Sequence, residues 1–141
     1  MKIQGYINYA YHPPAPFIVA AINIQKLNIK ATIPFLIDTG ASNTMILWGD
    51  LERLGININK IKPQRDFSGL GGLIKATPLN STITFITESG EAIKENLKIY
   101  IVASKCPHPK LKLLPSIMGR DLINKYKLIY NHNNKELYLE R

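Results

Sequence analysis

The sequence predicts an all-β fold that forms one domain, with one or two short helices. Short runs of Ile, Val, Thr, Tyr and Phe recur along the chain and are separated by Gly, Pro and Asn, as strands are separated by turns. Hydrophobic residues make up 45% and charged residues 20% of the 141 positions, which is the composition of a globular protein. That length supports one hydrophobic core but not comfortably two. We therefore expect residues 1–141 to be a single domain.

Six segments have the composition of strands, and two of the connections between them predict hairpins. One hairpin turns at residues 88–90, which are Glu-Ser-Gly, and the other turns at residues 132–134, which are His-Asn-Asn. The predicted strands cover residues 17–25, 30–37, 80–87, 93–103, 126–131 and 135–140. The stretch from Ile3 to Tyr11 places Ile, Gly and Tyr at alternate positions, which predicts a further strand within an N-terminal extension of residues 1–16.

Two short helices are predicted, one in the middle of the chain and one near its end. In residues 48–55, two Leu lie three positions apart, and Gly55 follows them as a usual helix C-cap. In residues 119–126, three apolar residues fall at helical spacing. The first helix is expected to follow the loop that carries Asp38, and the second is expected to follow an apolar strand that ends at Gly119.

The net charge of +8 makes nucleic acid a possible partner. Eight of the eighteen Lys and Arg lie between Lys105 and Arg141, but they are spread among apolar residues rather than clustered. A solvated basic surface explains this spacing more simply, so nucleic acid is possible but is not the favoured partner.

The sequence gives no sign of a membrane segment, a disulfide or a metal site. No apolar run approaches the roughly 20 residues that span a bilayer, and the N-terminus lacks the apolar core of a signal peptide, so we expect no membrane partner and a cytoplasmic location. Cys106 is the single cysteine and has no His-Asp context that would activate it. Because His12, His108 and His132 lack metal-ligand spacing, we expect no metal and no cofactor.

One carboxylate, Asp38, stands at the inner end of an apolar run. Leu36 and Ile37 favour burial, so an acid that follows them enters a partly desolvated place, which costs free energy unless partners compensate. Thr39 can donate a hydroxyl hydrogen bond, and Gly40 lets the backbone turn sharply. An ordinary Asp-Thr-Gly turn at a strand end is the alternative interpretation of these residues.

Two further stretches help to decide whether Asp38 has a function or belongs to an ordinary turn. In residues 67–76, three glycines flank Leu70 between strand-like arms, which suits a mobile hairpin that lies over a bound chain. A phosphate-binding loop would need a Lys-Ser/Thr and a helix after the glycines, and neither follows. In residues 116–123, an apolar strand meets Gly119 and a short helix begins.

Taken together and in this order, the three stretches resemble the retroviral-type aspartic proteases, the retropepsins. That family shows two hydrophobic residues before Asp-Thr-Gly-Ala, then a glycine-rich flap, then two hydrophobic residues before Gly-Arg. The resemblance spans about residues 17–131, and its three motifs are Leu36-Ile37-Asp38-Thr39-Gly40-Ala41, Gly69-Leu70-Gly71-Gly72-Leu73-Ile74-Lys75 and Ile117-Met118-Gly119-Arg120. It implies a single closed β-barrel or sandwich with a flap hairpin, assembled as a two-fold dimer.

The resemblance also implies an aspartic endopeptidase that hydrolyses peptide bonds. This chemistry needs two carboxylates around one water, one ionised and one protonated. The chain contains a single Asp-Thr-Gly, and its nearest match elsewhere, Glu88-Ser89-Gly90, lies in a predicted hairpin tip. A single copy predicts a homodimer in which Asp38 of each subunit reaches the centre.

Site residues follow from the same resemblance. Asp38 would be the catalytic acid, Thr39 would hydrogen-bond across the dimer, and the Gly40 carbonyl would bind the substrate backbone. The flap tip would close over an extended polypeptide, and apolar walls imply cleavage between apolar residues, although an ordinary core role is the alternative for each wall residue. The flap and wall residues are Ala41, Leu70, Gly71, Gly72, Leu73, Ile74 and Ile117.

The sequence departs from the family pattern at position 42 and offers alternatives for the dimer strands and for the function. Retroviral enzymes often carry an acid at the position of Ser42 that pairs with the Arg of the last motif, so the partner of Arg120 is not predicted. Residues 1–16 and 135–141 are the candidates for strands of a shared dimer sheet. A non-catalytic peptide-binding or dimerisation module on the same fold is the alternative function.

Overall fold

The computed structural model describes residues 1–63, 65–69 and 72–141 of the chain. This part of the chain is mostly β-structure, as the sequence predicted. Its strands are β1 (Lys2–Gln4), β2 (Tyr6–Asn8), β3 (Ala15–Ile24), β4 (Ile29–Ile37), β5 (Met45–Ile46), β6 (Arg65–Gly69), β7 (Gly72–Ile86), β8 (Ala92–Val102), β9 (Ile117–Met118), β10 (Lys127–Asn131) and β11 (Glu136–Glu140).

Two α-helices occur where the sequence placed them, and both are shorter than their patterns. They are α1 (Trp48–Arg53) and α2 (Arg120–Ile123), and short 3₁₀ segments form at Gln25–Leu27, Ile58–Lys60 and Pro109–Leu113. Gly55 follows α1 with a φ of +69°, which confirms the predicted C-cap, because glycine adopts this left-handed conformation without a Cβ penalty. Among the helices of the described residues, none is both long enough and apolar enough to cross a membrane.

The larger sheet closes into a barrel. Its strand order is β2-β3-β4-β9-β5-β8-β7-β6, and β3 also pairs with β7 through Ala21–Asn23 and Thr82–Thr84. This second pairing joins the two sides of the sheet, so β3, β4, β9, β5, β8 and β7 form a ring. The long β7 strand makes the closure possible because one part of it pairs with β6 while the other part pairs with β3.

Much of the barrel core comes from alternate positions of β3 and β4. Side chains in a strand alternate between the two faces of a sheet, and every second residue is buried from Ile18 to Ile24 and from Ile33 to Ile37. Burying each large apolar side chain contributes about 1.5–3 kcal/mol relative to leaving it exposed. The inward residues of these two strands are Ile18, Ala20, Ile22, Ile24, Ile33, Phe35 and Ile37.

The two ends of the chain pair with each other in a second, three-stranded sheet. Its order is β1-β11-β10, and it buries Ile3 and Leu139 where these residues lie opposite each other. The prediction of one strand from Ile3 to Tyr11 is wrong: β1 joins this small sheet, and β2 joins the barrel. The break falls at Gly5, where a Cβ atom would lie 2.6 Å from the Phe17 carbonyl oxygen. A dimer strand within residues 1–16 stays a prediction.

Candidate active site

Asp38 is the first residue after β4, and its side chain is half-buried in a cleft. β4 pairs in parallel with β9, where Leu36 lies opposite Ile117. The Asp38 N–H extends this pairing by donating to the Met118 carbonyl oxygen at 3.0 Å. Because Ile37 faces the core, the side chains on either side of it point to the opposite face of the sheet. Leu36 therefore lines the cleft instead of entering the core.

A tight turn after Asp38 fixes the direction of its carboxylate. The Gly40 N–H donates to Asp38 Oδ1 at 3.0 Å, and the Ala41 N–H donates to the Asp38 carbonyl oxygen at 3.2 Å. A Cβ atom at Gly40 would lie 3.2 Å from Asp38 Oδ1, which is a tight contact. Thr39 and Gly40 are exposed at the tip of this turn. Glycine thus lets the backbone amide approach the carboxylate closely.

The start of α2 holds the other side of the turn. The Arg120 guanidinium donates from Nη1 to the Thr39 carbonyl oxygen at 2.8 Å. The Arg120 N–H donates to the Ala41 carbonyl oxygen at 2.9 Å, and the Asp121 N–H donates to that of Ser42 at 3.2 Å. Arg120 therefore holds the main chain of the loop, in the absence of an acid at position 42.

Thr44 and Asp121 complete this support beneath the loop. Buried Thr44 donates its N–H to Asp121 Oδ2 at 2.9 Å and its hydroxyl to Oδ1 at 2.7 Å. The Thr44 hydroxyl oxygen also accepts the Gly119 N–H at 3.1 Å. A Cβ atom at Gly119 would lie 2.5–2.8 Å from backbone atoms of Asn43, so glycine is required for this approach. Sequence reasoning missed Thr44 and Asp121; the only local signal was the acid that follows Gly-Arg.

Ser116 ties β9 to the first helix. Its hydroxyl donates to Asp50 Oδ2 at 2.6 Å and accepts the Leu47 N–H at 3.1 Å, and the whole residue is buried. Its carbonyl oxygen accepts the Leu36 N–H at 2.9 Å. Asp50 in turn forms an ion pair with Arg53 at 3.1 Å. The wall beside Asp38 is therefore anchored to both β4 and α1.

The cleft beside Asp38 has a volume of about 410 Å³ and mostly apolar walls. It brings together Asp38 and Gly40 with three of the wall residues expected from the sequence, Ala41, Ile74 and Ile117. Among the described residues that line it, Asp38 is the one acid. The rest of the lining is Leu36, Ser42, Asn43, Met45, Leu47, Trp48, Leu114 and Pro115.

The glycine-rich segment forms two paired arms. β6 pairs with β7 in antiparallel fashion from Arg65 opposite Ala76 to Gly69 opposite Gly72. The backbone of Leu73 lies in β7, opposite Ser68. The expected flap-tip residues Leu70 and Gly71 lie outside the described residues, so their roles stay predictions.

The family of the chain follows from comparison with known proteins. Residues 22–121 match the family model described as Aspartyl protease. The chain therefore belongs to the aspartyl protease family, which is a family of peptide hydrolases.

A solved structure shows the same fold. The chain is similar to a retropepsin-like aspartic protease from Rickettsia conorii, with a TM-score of 0.60 and 23% identity over 99% of this chain and 88% of that one. This likeness confirms the retropepsin-like fold predicted from the sequence. A weaker likeness, with a TM-score of 0.45 and 18% identity, links 82% of this chain to 93% of the EIAV protease solved with the inhibitor HBY-793.

A sequence relative adds a partial match. An uncharacterized protein of Rickettsia prowazekii (strain Madrid E) is 39% identical over 64 residues. The matched segment is 44% of this chain and 27% of that protein, so the chain spans about a quarter of its relative's length.

Proposed function

We propose that the protein is a homodimeric aspartic endopeptidase in which two Asp38 carboxylates, one from each subunit, activate a single water. The observation that carries this proposal is that Asp38 is the one acid among the described residues lining the cleft. The chemistry of the family needs a second carboxylate about 3 Å away. Two-fold symmetry supplies that carboxylate from an identical loop.

The two identical carboxylates would take different roles in turn. The ionised Asp38 removes a proton from the water, and the resulting hydroxide oxygen bonds to the scissile carbonyl carbon. The protonated Asp38 donates its proton to the carbonyl oxygen, which gives a tetrahedral gem-diol. As the C–N bond breaks, the proton held by the first carboxylate moves to the amine nitrogen. One diol hydroxyl returns its proton to the other carboxylate, so the pair ends with one shared proton.

Thr39 would serve the dimer, and Gly40 would serve the substrate. Both are exposed, while the Thr39 carbonyl is held by Arg120. Within the described part of the chain, the Thr39 hydroxyl has no hydrogen-bond partner, which suits a bond to the partner subunit. The Gly40 carbonyl oxygen likewise accepts no hydrogen bond among the described residues, and we assign it to a substrate N–H.

The substrate would be an extended polypeptide with apolar residues on both sides of the cleaved bond. Ala41, Ile74 and Ile117 are apolar walls of the cleft, which favours burial of apolar side chains. The arms β6 and β7 would carry a flap with its tip at Leu70, Gly71 and Gly72, and Leu73 would be a further wall residue. Such a flap binds an extended chain by strand-like hydrogen bonds and excludes bulk water.

The test is hydrolysis of unfolded protein and apolar peptides between about pH 3 and 7, with a pepstatin-like inhibitor as a probe of the site. Asp38→Asn keeps the shape of the carboxylate but removes its proton chemistry, so we expect activity to fall by roughly 10³-fold or more. Glu88→Gln, an exposed turn residue, is the matched control and should retain full activity. An Asp38→Asn variant as active as the wild type would refute the proposal. A protein that binds apolar peptides but cuts none would instead be the non-catalytic module.

A further inference from the structure

A second groove lies beside the Asp38 cleft and is lined by aromatic side chains. Its volume is about 250 Å³. The Tyr6 ring stacks on Phe17 with 5.7 Å between centroids, and the Tyr11 ring packs on Phe17 at 5.3 Å. Phe17 is buried, whereas Tyr6 is 40% exposed. The Tyr6 and Tyr11 rings thus lie on the buried Phe17 ring and present aromatic surface to the groove.

The aromatic groove is continuous with the Asp38 cleft. Leu114 and Pro115 line both, so they form a ridge between them. The 3₁₀ segment Pro109–Leu113 precedes the ridge and holds it against α1. A Cβ atom at Gly49 of α1 would overlap the Lys112 carbonyl, so the two elements lie very close together. The Lys112 side chain also forms an ion pair with Glu52 at 3.0 Å.

The chemistry of the aromatic groove favours an apolar or aromatic occupant. Its charged lining residues are Asp50, Arg53 and Lys112. Arg53 pairs with Asp50 at 3.1 Å, and Lys112 pairs with Glu52 at 3.0 Å, so each charge is compensated. Burial raises the pKa of the Tyr6 and Tyr11 hydroxyls, so both stay neutral donors. Neither hydroxyl has a hydrogen-bond partner among the described residues, which leaves both free to bind a backbone carbonyl. Leu113, which is 77% exposed, adds an unburied apolar side chain to the rim.

We propose that the aromatic groove is a specificity site that binds a large apolar or aromatic side chain of the same polypeptide, a few residues from the cleaved bond. This inference rests on the proposed function. An extended chain advances about 3.3 Å per residue and points successive side chains to opposite sides. A chain leaving the Asp38 cleft across the Leu114–Pro115 ridge can therefore place one side chain against Tyr6 and Tyr11. Buried aromatic contacts then add to the binding of long substrates.

The test compares two peptides that share one apolar cleavage sequence. One carries a Tyr in its flank, and the other carries a Ser at the same place. We expect Tyr6→Ala, Tyr11→Ala and Leu113→Ser to lower the ratio of kcat/KM for the Tyr peptide to that for the Ser peptide by roughly tenfold. Tyr6→Phe keeps the ring and should keep the preference. Tyr130→Ala, at a similarly exposed tyrosine on β10, should leave the ratio unchanged. Leu113→Ser guards against misfolding because that side chain is already exposed.

A binding measurement separates this inference from the proposed function. Isotope-labelled Asp38→Asn protein is titrated with each peptide, and backbone chemical shifts are followed. Shifts at Tyr6, Tyr11 and Leu113 with the Tyr peptide only would support the groove, even if the wild-type protein cleaves neither peptide and the proposed function fails. Cleavage with an unchanged ratio in all three groove variants, or a titration without shifts there, would overturn it. A change of solution mass in the variants, with no change in the ratio, would identify the groove as a contact between copies and would also overturn it.

Discussion

The partner of Arg120 shows how this chain stabilises its Asp38 loop without an acid at position 42. The guanidinium donates to the Thr39 carbonyl oxygen, so the loop is held by its main chain. The acid that supports the loop from below is Asp121 of α2, which accepts two hydrogen bonds from Thr44. At the scale of single residues, the loop therefore depends on a buried threonine that lies outside the three sequence motifs.

Thr44→Val is the direct test of that threonine. The change keeps the shape of the side chain but removes the hydroxyl, which leaves the Gly119 N–H unpaired and Asp121 with one donor fewer. Leaving buried polar groups unsatisfied costs about 1–3 kcal/mol each, so we expect a loss of about 2 kcal/mol in urea unfolding. Thr44→Ser keeps the hydroxyl and should therefore retain most of the stability. Thr82→Val, which removes an exposed hydrogen bond to Asn96, is the control, and an equal loss there would contradict the special role of Thr44.

The elements around the site were predictable only where the signal was local. Asp38 at a strand end, the C-cap at Gly55 and most strands follow from neighbouring residues in the sequence. The bonds that fix the site join residues far apart in the chain: Thr44 and Asp121 are separated by 77 positions. The break of the N-terminal strand at Gly5 depends on the Phe17 carbonyl, which alternation of residues does not reveal.

Gly119→Ala tests the fit between α2 and the Asp38 loop. The added methyl group would meet Asn43 backbone atoms at 2.5–2.8 Å, so one element must move. Overpacking of this kind costs about 1–3 kcal/mol, and the shift should also reduce hydrolysis because it moves the loop that carries Asp38. Gly90→Ala is the control: its φ is +87°, but an added Cβ meets nothing within 4 Å, so only backbone strain of about 1 kcal/mol is expected. Equal costs and equal activities for the two variants would contradict this account.

At the scale of the whole molecule, one buried acid joins the barrel to the C-terminal part of the chain. Glu95 of β8 accepts hydrogen bonds from Lys125 and Tyr126, and it pairs with Arg141 at 3.4 Å. Burial by itself would raise the pKa of Glu95, but the Tyr126 and Lys125 hydrogen bonds and the charges of Lys125 and Arg141 outweigh it and lower the pKa. Burial and the bond to Glu95 raise the pKa of Tyr126, which stays neutral.

The Glu95 network predicts a loss of stability in acid. Because the pKa of Glu95 is lower in the folded than in the unfolded chain, its contribution is present above the unfolded value and is lost as the pH falls through the folded value. We expect Glu95→Gln to lower the free energy of unfolding at neutral pH, and the difference from wild type to shrink below about pH 4. Urea unfolding of both proteins at each pH measures this difference in the free energy of unfolding. A difference that is constant with pH, or that grows in acid, would contradict the assignment.

We propose that a working site contains two Asp38 loops, and mixing of wild-type and Asp38→Asn subunits is the decisive measurement. Wild-type protein is mixed with increasing Asp38→Asn protein under conditions where the solution mass shows subunit exchange, and hydrolysis is measured for a fixed amount of wild type. If both carboxylates are required, only wild-type pairs are active, so an equal mixture should retain about half the activity of the wild type alone. A large excess of Asp38→Asn should abolish it. Activity that stays proportional to wild type at every ratio, or activity from a stable monomer, would contradict the account.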